Sequence, residues 1–255
     1  MLLGDVLRVG EAGLLRRWNG ALQTPQSARS GSGEDLYSIY GSGPSDLWAV
    51  GRNSPILHYD GAAWRPYDSR RRTLRQVSGS GAADVWAVGD TGVIIHYDGS
   101  SWSSISMPAI NNLLTVWAAT KTDAWIGGDL GLLLHWDGTT WNEVPSGTAI
   151  ATVHIRGTSG SKVWAAKQNS EIWSWNGTKW AASGAGVSGQ RLWMTSDSDI
   201  WISGSSYVYH YNGTSWMSSF SSSTSAVWST SGSNAWIFSS YDIYHYNGTS
   251  WDYRW

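Results

Sequence analysis

The feature that most narrows the folds open to this chain is a segment that keeps returning. In DVWAVGDTGVIIHYDGSSW, Asp84 to Trp102, two apolar runs, VWAV and VIIHY, alternate with the two-residue period of a β-strand and are parted by the turn Gly-Asp-Thr-Gly. A second turn follows at Asp98-Gly99, where glycine supplies the positive φ of a tight hairpin, and Trp102 opens a further strand. The WAVG strand returns at Leu7, Trp48, Trp86, Trp125, Trp164, Trp201 and Trp236, at intervals of 35 to 41 residues. The strand that leads into the second turn returns as RRWNG from Arg16, LHYDG from Leu57, IHYDG from Ile95, LHWDG from Leu134, WSWNG from Trp173, and YHYNG from both Tyr209 and Tyr244. A third element opens at Leu22, Trp64, Trp102, Trp141, Trp180, Trp216 and Trp251, and a fourth, found six times, precedes the WAVG strand, as in LYSIYGSG from Leu36.

Four short strands in such a period, with no helical periodicity, match the blade of a β-propeller; a solenoid repeat would be shorter, about 20 to 29 residues, with one strand each. Residues 1–255 are therefore expected to form a single all-β domain, a β-propeller of four-stranded antiparallel blades. Seven blades are expected, the first lacking one strand, with a ring of six capped by the N-terminal strands as the alternative.

Composition limits the partners. The net charge of −2 and isoelectric point near 6.3 give no field that points to nucleic acid or to an anionic membrane. The absence of cysteine removes disulfides, thiolate nucleophiles and cysteine metal sites together. Charged residues are only 14%, so solubility rests on Ser, Thr, Asn and Gly, a composition common in secreted or surface-exposed β proteins. The start, MLLGDVLRVG, lacks the basic and apolar regions of a signal peptide, and no window approaches the roughly 18 apolar residues of a membrane span. An extracellular or cell-surface protein, monomeric or a small homo-oligomer, is expected.

The shared pattern, a W-A-V-G strand, then G-x-I-x-H-Y, then a turn Asp followed by Gly and Trp, resembles the Asp-box type of propeller repeat found in bacterial surface proteins, in photosystem assembly factors and around sialidases. The likeness spans essentially the whole chain. It departs at the turn, which reads Asp-Gly-x-x-Trp, as in Asp60-Gly61-Ala62-Ala63-Trp64, one residue tighter than the Asp box. Tachylectin-like lectin propellers, where sugars sit between blades, are similar in repeat size and Trp richness. The resemblance implies a bacterial propeller and leaves function open, because such folds include enzymes, lectins and scaffolds.

Comparing the copies with one another separates scaffold from candidate site. Trp48, Trp86, Trp125, Trp164, Trp201 and Trp236 recur at one position and read as packing between blades. Asp60, Asp98, Asp137, Asn176, Asn212 and Asn247 read as turn residues that hydrogen-bond their own backbone. His58, His96, His135, His210 and His245 share one position per copy, so three or four of them would not converge on a metal; no metal or cofactor is expected. His154 stands outside that series and reads as a satisfied core histidine.

The positions that drift are the candidates. One reads Tyr40, Ser78, Trp117, Arg156, Trp193, Trp228; another reads Arg16, Leu57, Ile95, Leu134, Trp173, Tyr209, Tyr244, with Tyr207 and Tyr241 close by. Aromatics gather in the later copies, among Ser and Thr, and flat rings beside hydroxyls suit the apolar face and polar rim of a sugar. The expected function is accordingly a lectin-like, non-catalytic recognition of neutral glycans through Trp117, Trp173, Trp193, Tyr207, Tyr209, Trp228, Tyr241 and Tyr244, acting multivalently. The alternative is a protein-interaction scaffold that uses a propeller face or the basic loop Arg70, Arg71, Arg72 and Arg75. Catalysis is not expected: glutamate is confined to Glu11, Glu34, Glu143 and Glu171, and no phosphate-binding or dinucleotide fingerprint appears.

Overall fold

The computed structural model describes residues 6–18, 26–29, 33–107, 111–183, 186–239 and 242–254. Apart from three single-turn 3-10 segments, Glu11–Gly13, Asp90–Gly92 and Asp129–Gly131, their regular structure is all strand. Two compact units divide the chain, residues 1–128 with 135–142, and residues 129–134 with 143–255.

The first sheet is three-stranded, formed in order by β1 (Val6–Val9), β2 (Leu14–Trp18) and β3 (Gln26–Arg29). Six four-stranded antiparallel sheets follow, each a meander in chain order. They are β4 (Leu36–Gly43), β5 (Asp46–Gly51), β6 (Ser54–Tyr59) and β7 (Trp64–Arg72); β8 (Leu74–Gly81), β9 (Asp84–Gly89), β10 (Ile94–Tyr97) and β11 (Trp102–Ile105); β12 (Leu113–Thr120), β13 (Asp123–Gly128), β14 (Leu133–Trp136) and β15 (Trp141–Glu143); β16 (Thr152–Ser159), β17 (Lys162–Lys167), β18 (Ile172–Trp175) and β19 (Trp180–Ala182); β20 (Arg191–Ser196), β21 (Asp199–Ser203), β22 (Val208–Tyr211) and β23 (Trp216–Phe220); and β24 (Ala226–Ser231), β25 (Asn234–Phe238), β26 (Ile243–Tyr246) and β27 (Trp251–Tyr253). This is the blade architecture of a β-propeller. Six four-stranded blades are seen, however, and the expectation of seven is corrected on that point. Among the described residues the N-terminal sheet shows three strands, none of them corresponding to those that precede β5 or β9, and its third strand begins at Gln26; Leu22 lies outside the described residues.

The WAVG strands are the most enclosed. All six residues of β9 are buried, because sheets stack on both of its faces and leave no side for water, so the strand reads as an apolar run rather than an alternation. In the first unit Trp48, Val50 and Ile56 of one sheet close against Leu74, Val77, Val85, Ala87, Ile95 and Trp102 of the next, and Leu15 of the N-terminal sheet packs with Leu36, Ala49 and Leu57. In the second unit the same contact recurs between Ala166 and Ile172 on one side and Leu192 and Ile202 on the other, and again between Trp201 and Val208 and the group Val227, Ala235 and Ile237.

The leading strands of successive sheets stand side by side, β4 with β8 and β8 with β12, and in the second unit β16 with β20 and β20 with β24. Side chains tie these neighbours together: Ser38 Oγ accepts the Val77 N–H at 3.2 Å, Gln76 Oε1 the Val116 N–H at 3.1 Å, and His154 Nδ1 the Leu192 N–H at 3.3 Å.

The arginine-rich segment is not the loop expected from sequence. Residues 70–72 extend β7, with Arg72 paired opposite Ser54 across a register shift in the β6–β7 pairing, and Arg75 lies on β8. The tight turns behave as read: Gly99 sits at φ +100°, and a Cβ there would meet the Ala83 Cβ at 2.7 Å. Among the described residues no helix is long and apolar enough to cross a membrane.

Candidate functional site

Most of the recurring residues are occupied by the scaffold. In five sheets the histidine before the turn reaches back twelve or eleven residues to an Asp or Asn: His58 to Asp46 at 2.7 Å, His96 to Asp84 at 2.7 Å, His135 to Asp123 at 2.9 Å, His210 to Asp199 at 2.8 Å and His245 to Asn234 at 2.6 Å. Each imidazole also lies flat on its cross-strand tryptophan, Trp48, Trp86, Trp125, Trp201 or Trp236, with centroids 3.9 to 4.4 Å apart. Three of those tryptophans meet an aromatic of the following sheet edge-on: Trp48 meets Trp102, Trp86 meets Trp141 and Trp201 meets Trp251. Among the described residues no three His, Cys, Asp or Glu side chains gather as a metal site.

The turn residues are equally engaged. Asp60 Oδ1 accepts the N–H groups of Ala62 and Ala63, both at 2.9 Å, and Asp98, Asp137, Asn176, Asn212 and Asn247 repeat the pattern. The Ser100 hydroxyl and the Ser101 and Ser100 N–H groups hold the Asp98 carboxyl down to about 2.

The aromatics singled out from sequence fall mostly into packing positions. Trp117 is buried opposite Trp125. Tyr209 and Tyr244 are half-buried against the cores that follow from Ala166 and from Trp201, and Trp228 lies 6.3 Å from Trp193. Trp173 donates its Nε1–H to Glu171 at 3.0 Å. Tyr207 is the open one, 44% exposed, with Tyr209 5.9 Å away; Tyr241 lies outside the described residues. Three of the four arginines of the alternative reading are ion-paired: Arg70 with Asp68, Arg71 with Glu34 and Arg75 with Asp90.

One sheet departs from the scaffold pattern. In β16–β19 the place of the aspartate is taken by Lys162, and that of the histidine by Ser174, which lies opposite Trp164. Trp164, without an imidazole on its face, is half-buried where its counterparts are enclosed. The same sheet carries the densest positive charge of the second unit. Arg156 on β16 places its guanidinium 4.9 Å above the Trp193 ring of β20, and the indole of Trp193 is fixed in turn by donating to the Ser229 carbonyl at 2.8 Å. Burial pushes Arg156 down to about 10, and surrounding protein lowers the solvent-reaching Arg191 as well. His154 is held well below its usual value by burial, by Arg156 and by Arg191, so its ring is neutral, with the proton on Nε2 because Nδ1 accepts from Leu192. Lys167, fully buried, donates to Thr152 Oγ1 at 2.8 Å and lies 5.3 Å over the Trp173 ring, and burial lowers it to about 8.

Sequence comparison placed Arg156 in a drifting column and set His154 outside the histidine series, but missed Arg191 and the grouping. The signal was there: only this copy loses both members of the Asp–His pair. The assembly combines aromatic faces with guanidinium and imidazole donors.

No known sequence family and no curated protein matches this chain. Its fold does have counterparts among solved structures. The structure described as YCF48 bound to D1 peptide superposes with a TM-score of 0.67 at 18% identity, over 86% of this chain and 81% of that one. The Cps50 (Swd1) β-propeller domain of Myceliophteria thermophila gives 0.65 at 11%, over 91% and 92%. The computationally designed Ika8 protein gives 0.71 at 9%, over 98% and 80%. At these identities the likeness is one of fold.

Proposed function

We propose that this chain is a non-catalytic propeller that binds a protein segment, with the β16 and β20 leading strands as its recognition surface. The observation that carries the reading is the sheet in which Lys162 and Ser174 replace the structural Asp–His pair while Arg156, Arg191 and Trp193 cluster beside it. Departures from a recurrent packing device tend to fall at functional sites, and here the departure stands beside half-buried Arg156 and Trp193 and the exposed Arg191. That a propeller of similar fold was solved with a peptide bound supports a protein-binding role in kind. The composition suits a place outside the cell or at its surface, as a single propeller domain.

Lectin-like recognition of neutral glycans is a second reading, and the exposed Tyr207 beside Tyr209 favours it. A phage-displayed random peptide library and a glycan array, run on the purified chain, separate the two. Enriched peptides whose binding falls with Arg191→Glu are expected. Glycan hits abolished by Tyr207→Ala, with no peptide enriched, would reverse the assignment.

A further inference from the structure

We infer that Arg156, Arg191 and His154 form a site for a carboxylate group carried by the bound segment, an inference that rests on the protein-binding reading above. Among the described residues neither arginine forms an ion pair, unlike Arg70, Arg71 and Arg75. Arg156 Nε is enclosed with no acceptor. Trp193 supports the face of the guanidinium, and a ring face takes none of the N–H groups, which radiate from the guanidinium edge. Arg191 spends one N–H on the Gln190 carbonyl at 3.0 Å. Asp197, on the turn after β20, is taken by the Thr158 hydroxyl.

The three side chains therefore share one chemical sense: they donate and do not accept. His154 has committed its only acceptor nitrogen to Leu192 and keeps an Nε2–H. Arg191 directly precedes Leu192, whose N–H is held by His154, and Trp193, which lies under Arg156, and this places the three side chains in one neighbourhood. A cation taken partly out of water without a counter-charge is unfavourable, and a carboxylate offers two coplanar oxygens that fit the guanidinium fork. The flat surroundings, with Trp193 and Trp228 rings 6.3 Å apart, suit a planar carboxylate with an aliphatic stem better than a tetrahedral oxyanion.

The test titrates N-acetyl-Gly-Gly as the free acid, its C-terminal amide, N-acetyl-Glu amide, sulfate and inorganic phosphate into the whole chain, followed by Trp fluorescence and calorimetry. Saturable binding of at least one acid, at about millimolar affinity for so small a probe, and none of the N-acetyl-Gly-Gly amide, is expected; the two acids distinguish a chain terminus from an acidic side chain. Arg156→Gln and Arg191→Gln should each weaken the acid about tenfold or more. Arg191 reaches solvent, so its variant serves even if Arg156→Gln fails to fold. Equal binding of acid and amide, or an unchanged Kd in Arg191→Gln, overturns the site. Phosphate or sulfate binding tenfold tighter than either acid overturns the carboxylate assignment. Library-selected peptides that bind Arg191→Gln as tightly as wild type would remove this site and leave the protein-binding reading standing; acid binding with no enriched peptide would do the reverse.

Discussion

Asp84 shows how much one side chain does in a blade. It is wholly buried, receives His96 at 2.7 Å, Ser80 at 2.5 Å and the Trp86 indole at 3.1 Å, and although burial acts to raise its pKa, these donors outweigh it and keep the carboxyl ionised. Its recurrence in other copies can be read from the sequence, as Asp46, Asp123 and Asp199, but its partners cannot, because His96 stands twelve residues away on the next strand and Ser80 lies on the strand before. Lys167 is the opposite case: where β5, β9 and β13 end in glycine, β17 ends in an amine enclosed with one hydroxyl and one ring. Its folded pKa, about 8, lies below the ordinary 10.5. The folded state therefore favours the neutral amine, and stability is least below pH 8 and rises between pH 8 and 10.5, by on the order of 2 kcal/mol. Denaturant titrations at pH 7 and pH 10 should show that rise in wild type and its absence in Lys167→Met, which should also be the more stable form at pH 7. A rise of equal size in both would assign it to other groups.

At the scale of the strand and sheet, the alternating and continuous apolar runs made the six meanders legible, since each copy carries its own turns and its own buried WAVG strand. Two features were not. Arg70 to Arg72 read as a solvated loop because charge outweighed the β-pattern, and yet they extend β7 against β6. The later aromatics read as free positions because other copies place Leu57 or Ser78 there, whereas Tyr209, Tyr244 and Trp193 fill space against the neighbouring sheet; a column that tolerates small residues can still be filled by packing. The two classes of sheet should separate in stability. Trp86→Ala removes a ring that is fully buried and stacked on His96 and should cost about 3–5 kcal/mol. Trp164→Ala removes a half-buried ring with Ser174 opposite and should cost under about 2 kcal/mol. Equal losses of melting temperature would mean that the β16–β19 sheet is packed like the rest.

For the molecule as a whole, the repeat period announced the fold class, because four short antiparallel strands in 35 to 41 residues match a propeller blade, whose neighbours cover both faces of an all-apolar strand. The number of complete blades was less legible, since a copy that lacks one strand still shows the motifs of the other three. The fold also sets a gradient of protection. Amides of β5, β9, β13, β17, β21 and β25, each flanked by strands on both sides, should exchange slowest with solvent, and those of the outer strands β7, β11, β15, β19, β23 and β27 fastest. Hydrogen exchange read by mass spectrometry after proteolysis checks this, and uniform rates across each sheet would contradict it.

The turns have a chemical consequence for the lifetime of the protein. Asn176, Asn212 and Asn247 each precede glycine, the sequence in which asparagine ages fastest, through attack of the following backbone nitrogen on the side-chain amide. Here each Oδ1 is anchored by two N–H groups, and the following glycines are fixed at φ of +94°, +92° and +97°, which restrains the motion that the cyclisation needs. Direct hydrolysis would yield the aspartate that Asp60, Asp98 and Asp137 already carry at the same place, with the same two backbone bonds. The chain thus contains, in its own earlier copies, the repaired form of its later ones.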